Sequence, residues 1–561
     1  MTTSNNFGRF RASHLGWCLA FLLSACGGGG GGGVTNVCSG YGAGMGAGAF
    51  TISGTVNYED KPFNSLGLTG ASTTLPVRKA SVEVIRCSDG AVLGSADTDN
   101  AGNYSISASN TGTAGVYVRV LAKVSQPGYS LSVIDAASAI HSQPTTGFDE
   151  TGGASVNITA PASSSGGPFN ILDTALSGIE YVDGNTTLPT LTALKLLWDA
   201  CPAPFTALSC GTVFYPNGIP PFSGQKLITL VNVPGTDTDD YDDMVIMHEV
   251  GHYIANQLSE DDSPGGSHSP TDTHQDARLA WSEGWGGYFA SAATGIVDYL
   301  DTDGSSIGTA GRLLGVNLET RNVTSGATPL GAWGNGADTE ISVSAALWDA
   351  IDNTPGDEPS NLADADVLSA FEALQGTVPP VTFGRFTNAL REDATLAGTP
   401  LADFTTAMPK SLIDVVADDQ SDNVAAGATA VVVGVSAAAA NLVYDREAGD
   451  TEDVDYYSVP LTNGTTYTVQ TSLLQEGADP YISVRDASDA DLTPLQENDN
   501  GTNPIYSASC TTDCPPNSGA LAASLTFTAP STATYLIRVE RSPDAPPSAG
   551  LFGGYTLSVN Y

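Results

Sequence analysis

The apolar pattern of this 561-residue chain changes period twice. From Phe50 to about Ile134 apolar residues alternate in short runs, such as Val82-Glu83-Val84-Ile85 and Val116-Tyr117-Val118-Arg119-Val120, cut by turn signals at Asp89-Gly90 and Asn100-Ala101-Gly102. The middle third has helical spacing at residues 190–198, 242–258, 275–293, 342–351, 364–374 and 383–393. Alternation then returns in Tyr456-Tyr457-Ser458-Val459, Tyr481-Ile482-Ser483-Val484, Tyr535-Leu536-Ile537-Arg538-Val539 and Tyr555-Thr556-Leu557-Ser558-Val559. A period of two buries one face of a strand, and a period of 3.6 buries one stripe of a helix. The expected architecture is therefore multidomain, an α+β domain flanked by two all-β sandwiches.

Boundaries follow from composition shifts. Residues 50–144 form the first sandwich, 170–415 the helix-rich domain and 441–561 the second sandwich. A Ser/Thr/Gly/Ala-rich stretch (145–169) and an Ala/Val-rich stretch (416–440) read as linkers. A hydrophobic content of 41% argues against a disordered chain. With 20 Lys+Arg against 61 Asp+Glu, the net charge of −41 excludes a nucleic-acid partner, since too few cations exist to neutralise phosphates.

Arg9 and Arg11 precede the apolar run Leu15 to Leu23, which is too short to span a bilayer but suits a signal-peptide core over residues 1–25. Leu23-Ser24-Ala25-Cys26 resembles the bacterial lipoprotein box, which implies cleavage before Cys26 and lipid attachment to it. Residues 26–49, with seven consecutive glycines from Gly27 to Gly33, read as a flexible tether. The expectation is an exported protein anchored by lipid to a bacterial membrane, at the outer membrane or the cell surface. Six further cysteines, Cys38, Cys87, Cys201, Cys210, Cys510 and Cys514, read as disulfides in an exported chain. Proximity favours Cys201–Cys210 and Cys510–Cys514, leaving Cys38 with Cys87.

Two of the six histidines stand in His248-Glu249-Val250-Gly251-His252. Val245, Ile246, Met247, Val250, Ile254 and Leu258 give that segment an apolar helical face, and Asp242 or Asp243 is placed to cap it. On a helix, positions i and i+4 project two imidazoles from one side, the geometry that grips a tetrahedral Zn²⁺. A third His at the metzincin spacing would fall on Leu258, so that class is excluded. Downstream, Leu279-Ala280-Trp281-Ser282-Glu283-Gly284-Trp285-Gly286-Gly287-Tyr288-Phe289-Ala290 reads as a helix whose glycines mark close approach to another backbone.

Together these blocks resemble the gluzincin metallopeptidases, over roughly residues 172–415. The resemblance implies that Glu283 is the third ligand, that Glu249 is the general base acting on a metal-activated water, and that the substrate is a peptide or protein. Many gluzincins carry an aspartate four residues after the ligand glutamate. Gly287 stands there, so orienting a zinc-ligating histidine would fall to Asp276 or Asp243. Candidates for stabilising the oxyanion are Tyr288, His274 and His268, with Arg312 and Arg321 as cationic options. The helix from Glu340 through Trp348-Asp349 is similar to one that follows the metal site in fungalysin-like peptidases, though an amphipathic core helix has the same pattern. Lys226 to Val233 reads as a strand, and the resemblance implies that such a strand bordering the cleft can pair with an extended peptide.

The first sandwich, through Ile52-Ser53-Gly54-Thr55-Val56, Ala80-Ser81-Val82 and Asp99 to Tyr104, resembles transthyretin-like domains found beside carboxypeptidases. The last 120 or so residues resemble the bacterial pre-peptidase C-terminal domain, through Asp450 to Tyr457, Asn498-Asp499-Asn500 and Gly554 to Leu557. Asp450, Asp453, Asp455 and Asp499 are either oxygen ligands for Ca²⁺ or solvated turn carboxylates, and they match no EF-hand loop. The functional expectation is an exported, lipid-anchored zinc metalloendopeptidase. The rival is a surface adhesion or binding protein whose metallopeptidase domain is degenerate.

Overall fold

The computed structural model describes residues 37–39, 41, 44–199, 211–233, 236–266, 268–272, 275–332, 336–337, 339–352, 362–376, 381–392, 424–436, 439–442, 454–472, 480–490, 497–498, 522–541 and 553–561. Cys26, Cys201, Cys210, Cys510, Cys514, His274, Asp450, Asp453 and Asp499 lie outside the described residues. Among the described residues no helix is long and apolar enough to cross a membrane.

The N-terminal strands are β1 (Gly48–Asp60), β2 (Ala80–Arg86), β3 (Asn103–Asn110), β4 (Val116–Gln126) and β5 (Tyr129–Ile134). β1 pairs antiparallel with β3 and packs its buried Ile52, Val56 and Tyr58 against Val82, Val84, Val118 and Val120 of β2 and β4. Cys38 and Cys87 are joined by a disulfide, the pairing expected by elimination.

The expected boundaries on either side of residue 144 do not survive. Residues 145–169 hold two short strands, Ala154–Ser155 and Ile158–Ala160, which pair parallel with β1 through Ile52↔Ala154 and Val56↔Ile158. They therefore complete the first sheet and do not form a free linker. A helix not anticipated from the sequence, α1 (Gly167–Asn185), follows at once and buries Phe169, Leu172, Leu176 and Ile179. Their 3-4-3 spacing is helical but is diluted by Gly178 and by the polar residues between them.

Residues 190–198, expected as helix, instead hold strand β6 (Leu194–Trp198). It runs parallel to β5 on one side, with Leu196 opposite Val133, and to β8 (Lys226–Leu230) on the other. A central strand covered on both faces is apolar on both, so Leu194, Leu196 and Leu197 mimic helical spacing. The strand β7 (Val213–Tyr215) closes the sheet beyond β8, with Phe214 opposite Ile228. The order of this eight-stranded sheet is β7-β8-β6-β5-β4-β2 followed by Val92–Asp97, with Ser142–Pro144 added beside β4. One sheet thus joins the N-terminal strands to the helix-rich part. One continuous core runs from Phe50 through Val118, Leu196 and Met247 to Trp285 and Phe386.

The helices that position the site are α2 (Asp243–Leu258), α3 (Ala277–Thr294) and α4 (Glu340–Ile351), with strand β9 (Asp298–Thr302) after α3. The C-terminal part is a separate two-sheet β-structure with its own core, including Val459, Val469, Ile537 and Leu557. It begins before residue 441. Thr429–Ala430 pairs with Val454–Leu461, Ala439–Leu442 pairs with Gly553–Asn560, and Val431 is buried in its core.

Candidate functional site

Asp242 stands at the N-cap of α2 and Asp243 opens the helix, but no side chain caps it. Asp242 accepts hydrogen bonds from the Thr302 amide (3.1 Å) and hydroxyl (2.7 Å), which tie the helix start to β9. Asp243 accepts from Asn170 Nδ2 (2.7 Å) and Thr174 Oγ1 (2.9 Å) on α1. α3 is capped by Asp276, which accepts from the Arg278 amide at 3.0 Å.

α3 lies between α2 and α4 because its glycines admit neighbours on both sides. A Cβ on Gly286 would sit 2.7–2.8 Å from three atoms of the His248 imidazole, so only glycine lets that ring lie against α3. On α2, Gly251 faces Gly286 Cα, and Trp285 Nε1 donates to Gly251 O at 3.1 Å. Toward α4, a Cβ on Gly284 would meet Val343 at 2.5 Å, and one on Gly287 would meet Ser344 Oγ at 2.6 Å. The space that an aspartate at 287 would need is therefore taken by Ser344.

This packing brings His248, His252 and Glu283 together. His248 Nε2 lies 3.0 Å from Glu283 Oε2 and 3.1 Å from His252 Nε2, and His252 Nε2 lies 3.3 Å from Glu283 Oε2. Ligands about 2.0–2.1 Å from a tetrahedral zinc are about 3.3 Å apart, so the triangle has the dimensions of one face of such a site. The three residues fit the ion. Burial alone would raise the Glu283 carboxyl, but the His252 charge and hydrogen bonds from both imidazoles hold it well below the usual range. His252 is opposed by burial yet pushed up to about 10 by the Glu283 carboxylate.

Neither Asp243 nor Asp276 orients His248 or His252: Asp243 accepts from Asn170 and Thr174 on α1, and Asp276 caps α3. Ser282 Oγ lies 3.4 Å from His252 Nδ1 and donates to Asp261 Oδ2 at 2.9 Å. That chain orients the ring with Nε2 toward the triangle. Its only signal in the sequence was adjacency, Ser282 being the neighbour of Glu283.

Glu249 is buried beside the triangle, with Oε2 unpartnered among the described residues. Burial raises its carboxyl, and His252 and His248 pull it back only in part. The Phe214 amide on β7 donates to it. His268 stands over the triangle, with Nε2 3.4 Å from Glu283 Oε1 and Nδ1 3.0 Å from Glu340 Oε2 on α4.

Tyr288 is not at the site. Five residues beyond Glu283 on one helix, it is turned to the opposite face, fully buried with its ring 5.5 Å from that of Trp285. Tyr299 on β9, which sequence reasoning missed, lines the site instead, its ring 5.9 Å from that of His248. Burial, then Asp301 and Glu249, raises its phenol far above the ordinary range, so it stays a hydrogen-bond donor. Arg312 is turned away, donating to Gly326 O and Ser65 O.

Two cavities of about 360 and 320 Å³ share Glu249, His268 and Glu283, so the triangle lies between them. The strand expected to pair with a peptide, Lys226–Leu230, is flanked on both sides by β6 and β7. Among the described residues β7 is the edge toward the site, and Phe214 lines the second cavity. In the C-terminal part, Asp455 is fully buried and accepts a hydrogen bond from Tyr555.

Residues 220–404, about a third of the chain, match the family model of the mycolysin C-terminal domain. That span takes in α2, α3 and α4, so this part of the chain is peptidase-related. An uncharacterized protein of Archaeoglobus fulgidus is 28% identical over 177 residues, 28% of this chain and 44% of its own length. The chain thus spans less than half of that curated relative. Among solved structures, the pre-peptidase C-terminal domain of a Bacillus anthracis collagenase is 15% identical over 24% of this chain and 93% of its own (TM-score 0.16). A 9R-lipoxygenase from Cyanothece is 12% identical over 24% of each chain (TM-score 0.13). At those scores neither likeness bears on the fold.

Proposed function

We propose that the protein is an exported, lipid-anchored zinc metalloendopeptidase. The observation that carries this reading is the triangle of His248, His252 and Glu283, sized for a tetrahedral ion with Glu249 beside it. The peptidase-related match over residues 220–404 supports it.

When bound, Zn²⁺ supplies a Lewis acid and lowers the pKa of a coordinated water. His248 and His252 would hold the ion as neutral imidazoles and Glu283 as a carboxylate, with Ser282 and Asp261 keeping His252 in the required tautomer. Glu249, raised by burial, takes the proton of the attacking water and returns it to the leaving amine. Tyr299 and His268, donors on the cavity wall, stabilise the oxygen of the scissile carbonyl as charge develops on it. β7 offers a strand edge for an extended peptide. Lipid attachment at Cys26 belongs to this reading, whereas Asp450, Asp453, Asp455 and Asp499 keep both of their expected roles, Ca²⁺ ligands or solvated turn carboxylates, with Asp455 itself buried and accepting from Tyr555.

The test is bound zinc together with cleavage of casein or a peptide library by wild type and Glu249→Gln. Chelator-sensitive cleavage lost in Glu249→Gln is the expected result. Zinc bound with no cleavage would favour the surface binding protein, and cleavage unchanged in Glu249→Gln would sink the mechanism.

A further inference from the structure

The larger cavity beside Glu249 is walled by apolar side chains, among them Val245, Leu314, Val316 and Ile341, and by the carboxylates of Asp237, Asp239 and Asp301. Ligand oxygens of these three and of Asp242 lie within 4.8 Å of one another. No Lys or Arg lines the cavity among the described residues, and none occurs in the sequence from Leu227 to Ala277, which supplies much of the wall. Glu249, itself more than nine-tenths buried with Oε2 unpartnered among the described residues, also lines this cavity.

The four carboxylates are not equivalent. Asp242 is held by the Thr302 amide and hydroxyl, and Asp239 by Thr212 Oγ1 and the Val231 amide. Asp237 Oδ1 and Asp301 Oδ1 are buried without a hydrogen-bond partner among the described residues, although the Asp237 carboxyl also shares a side-chain hydrogen bond with Asp239. Burial and the neighbouring Asp237 charge push Asp301 up to about 7, the mark of a carboxylate lacking its counter-charge. A fixed Ca²⁺ wants six to eight oxygens, and two of these four side chains already accept N–H and O–H donors. An aliphatic stem with a cationic head matches the wall better, its methylenes on the apolar side chains and its charge beside the Asp237 and Asp301 carboxylates.

We infer that this cavity is the specificity pocket for a Lys or Arg side chain of the substrate residue adjoining the scissile bond, with Asp301 and Asp237 receiving its charge. The inference rests on the peptidase reading, and the experiment separates the two. The zinc-loaded full chain is given paired peptides that differ only by Lys or norleucine at one position, scanned across the cleavage site. At one position, wild type should favour Lys by roughly 10- to 100-fold in kcat/KM, the worth of a charged hydrogen bond at a buried carboxylate. Asp301→Asn should bring the ratio near unity, and Asp237→Asn serves if Asp301→Asn fails to fold. Affinities of Glu249→Gln for the same peptide pairs, read by fluorescence anisotropy, test the pocket without turnover. Cleavage with no preference for a basic residue overturns the pocket and leaves the peptidase standing. Lys-selective binding with no cleavage by wild type does the reverse. Stoichiometric Ca²⁺ binding that Asp301→Asn abolishes, with the Lys preference intact, also overturns it.

Discussion

Gly286 is where the demands of helix and site conflict. Alanine in a helix interior gains about 1 kcal/mol over glycine, yet a methyl here would displace the His248 ring. Gly286→Ala should weaken zinc binding by roughly 10- to 100-fold in a chelator competition, the scale of a disturbed ligand orientation. Gly184→Ala on α1, where a Cβ meets nothing within 4 Å, should leave zinc binding unchanged. Proton linkage gives a second expectation at this scale. Without metal, the His252–Glu283 pairing raises the folded-state imidazole to about 10. Its contribution to stability is thus full below the unfolded value near 6.5 and is lost as pH rises through about 10. Zinc requires the neutral ring, so its apparent affinity should climb with pH up to about 10, with a proton released on binding. Calorimetry in buffers of different ionisation enthalpy would count that proton.

At the scale of elements, α3 is the hinge of the arrangement because it touches α2 and α4 at once. Trp285 fixes it, stacking on Phe371 with ring centroids 3.5 Å apart and donating to Gly251 O on α2. Trp285→Phe removes the hydrogen bond and part of the ring and should cost about 1–2 kcal/mol in chemical denaturation. Trp285→Ala should cost about 3–5 kcal/mol and loosen the metal triangle with it. The helical periods of α2, α3 and α4 were legible in the sequence, and so was the close approach signalled by the glycines. Which neighbour each glycine admits was not, because a spacing specifies a face without naming what covers it.

For the whole molecule, the shared sheet makes the N-terminal strands part of the fold that builds the site. Arg78, just before β2, donates to Asp173 Oδ1 (2.6 Å) and Ser177 Oγ (2.8 Å) on α1, fastening the two regions further. A chain lacking residues 50–144 would expose β6 and the apolar face of α1, and should aggregate or lose cooperative unfolding. A chain ending at residue 423 loses a region with its own core, and should keep zinc binding and a cooperative transition. Thermal melts with zinc titration on both truncated chains would check the pair.

The sequence by itself determined the local chemistry. His248, Glu249 and His252 lie within one turn of one helix, so helical geometry alone sets them side by side, and Glu283 stood out through its helix. The alternating runs at both ends likewise specified strands. Only the tertiary structure decided what depends on residues distant in sequence. It put Tyr299 in the site in place of Tyr288, made Asp261 and Ser282 the partners of His252, filled the place an aspartate at 287 would need with Ser344, and made 194–198 a central strand. The physical reason is common to all of these. Periodicity fixes which face of an element is apolar, whereas the neighbour that face or side chain meets is set by packing across the whole core.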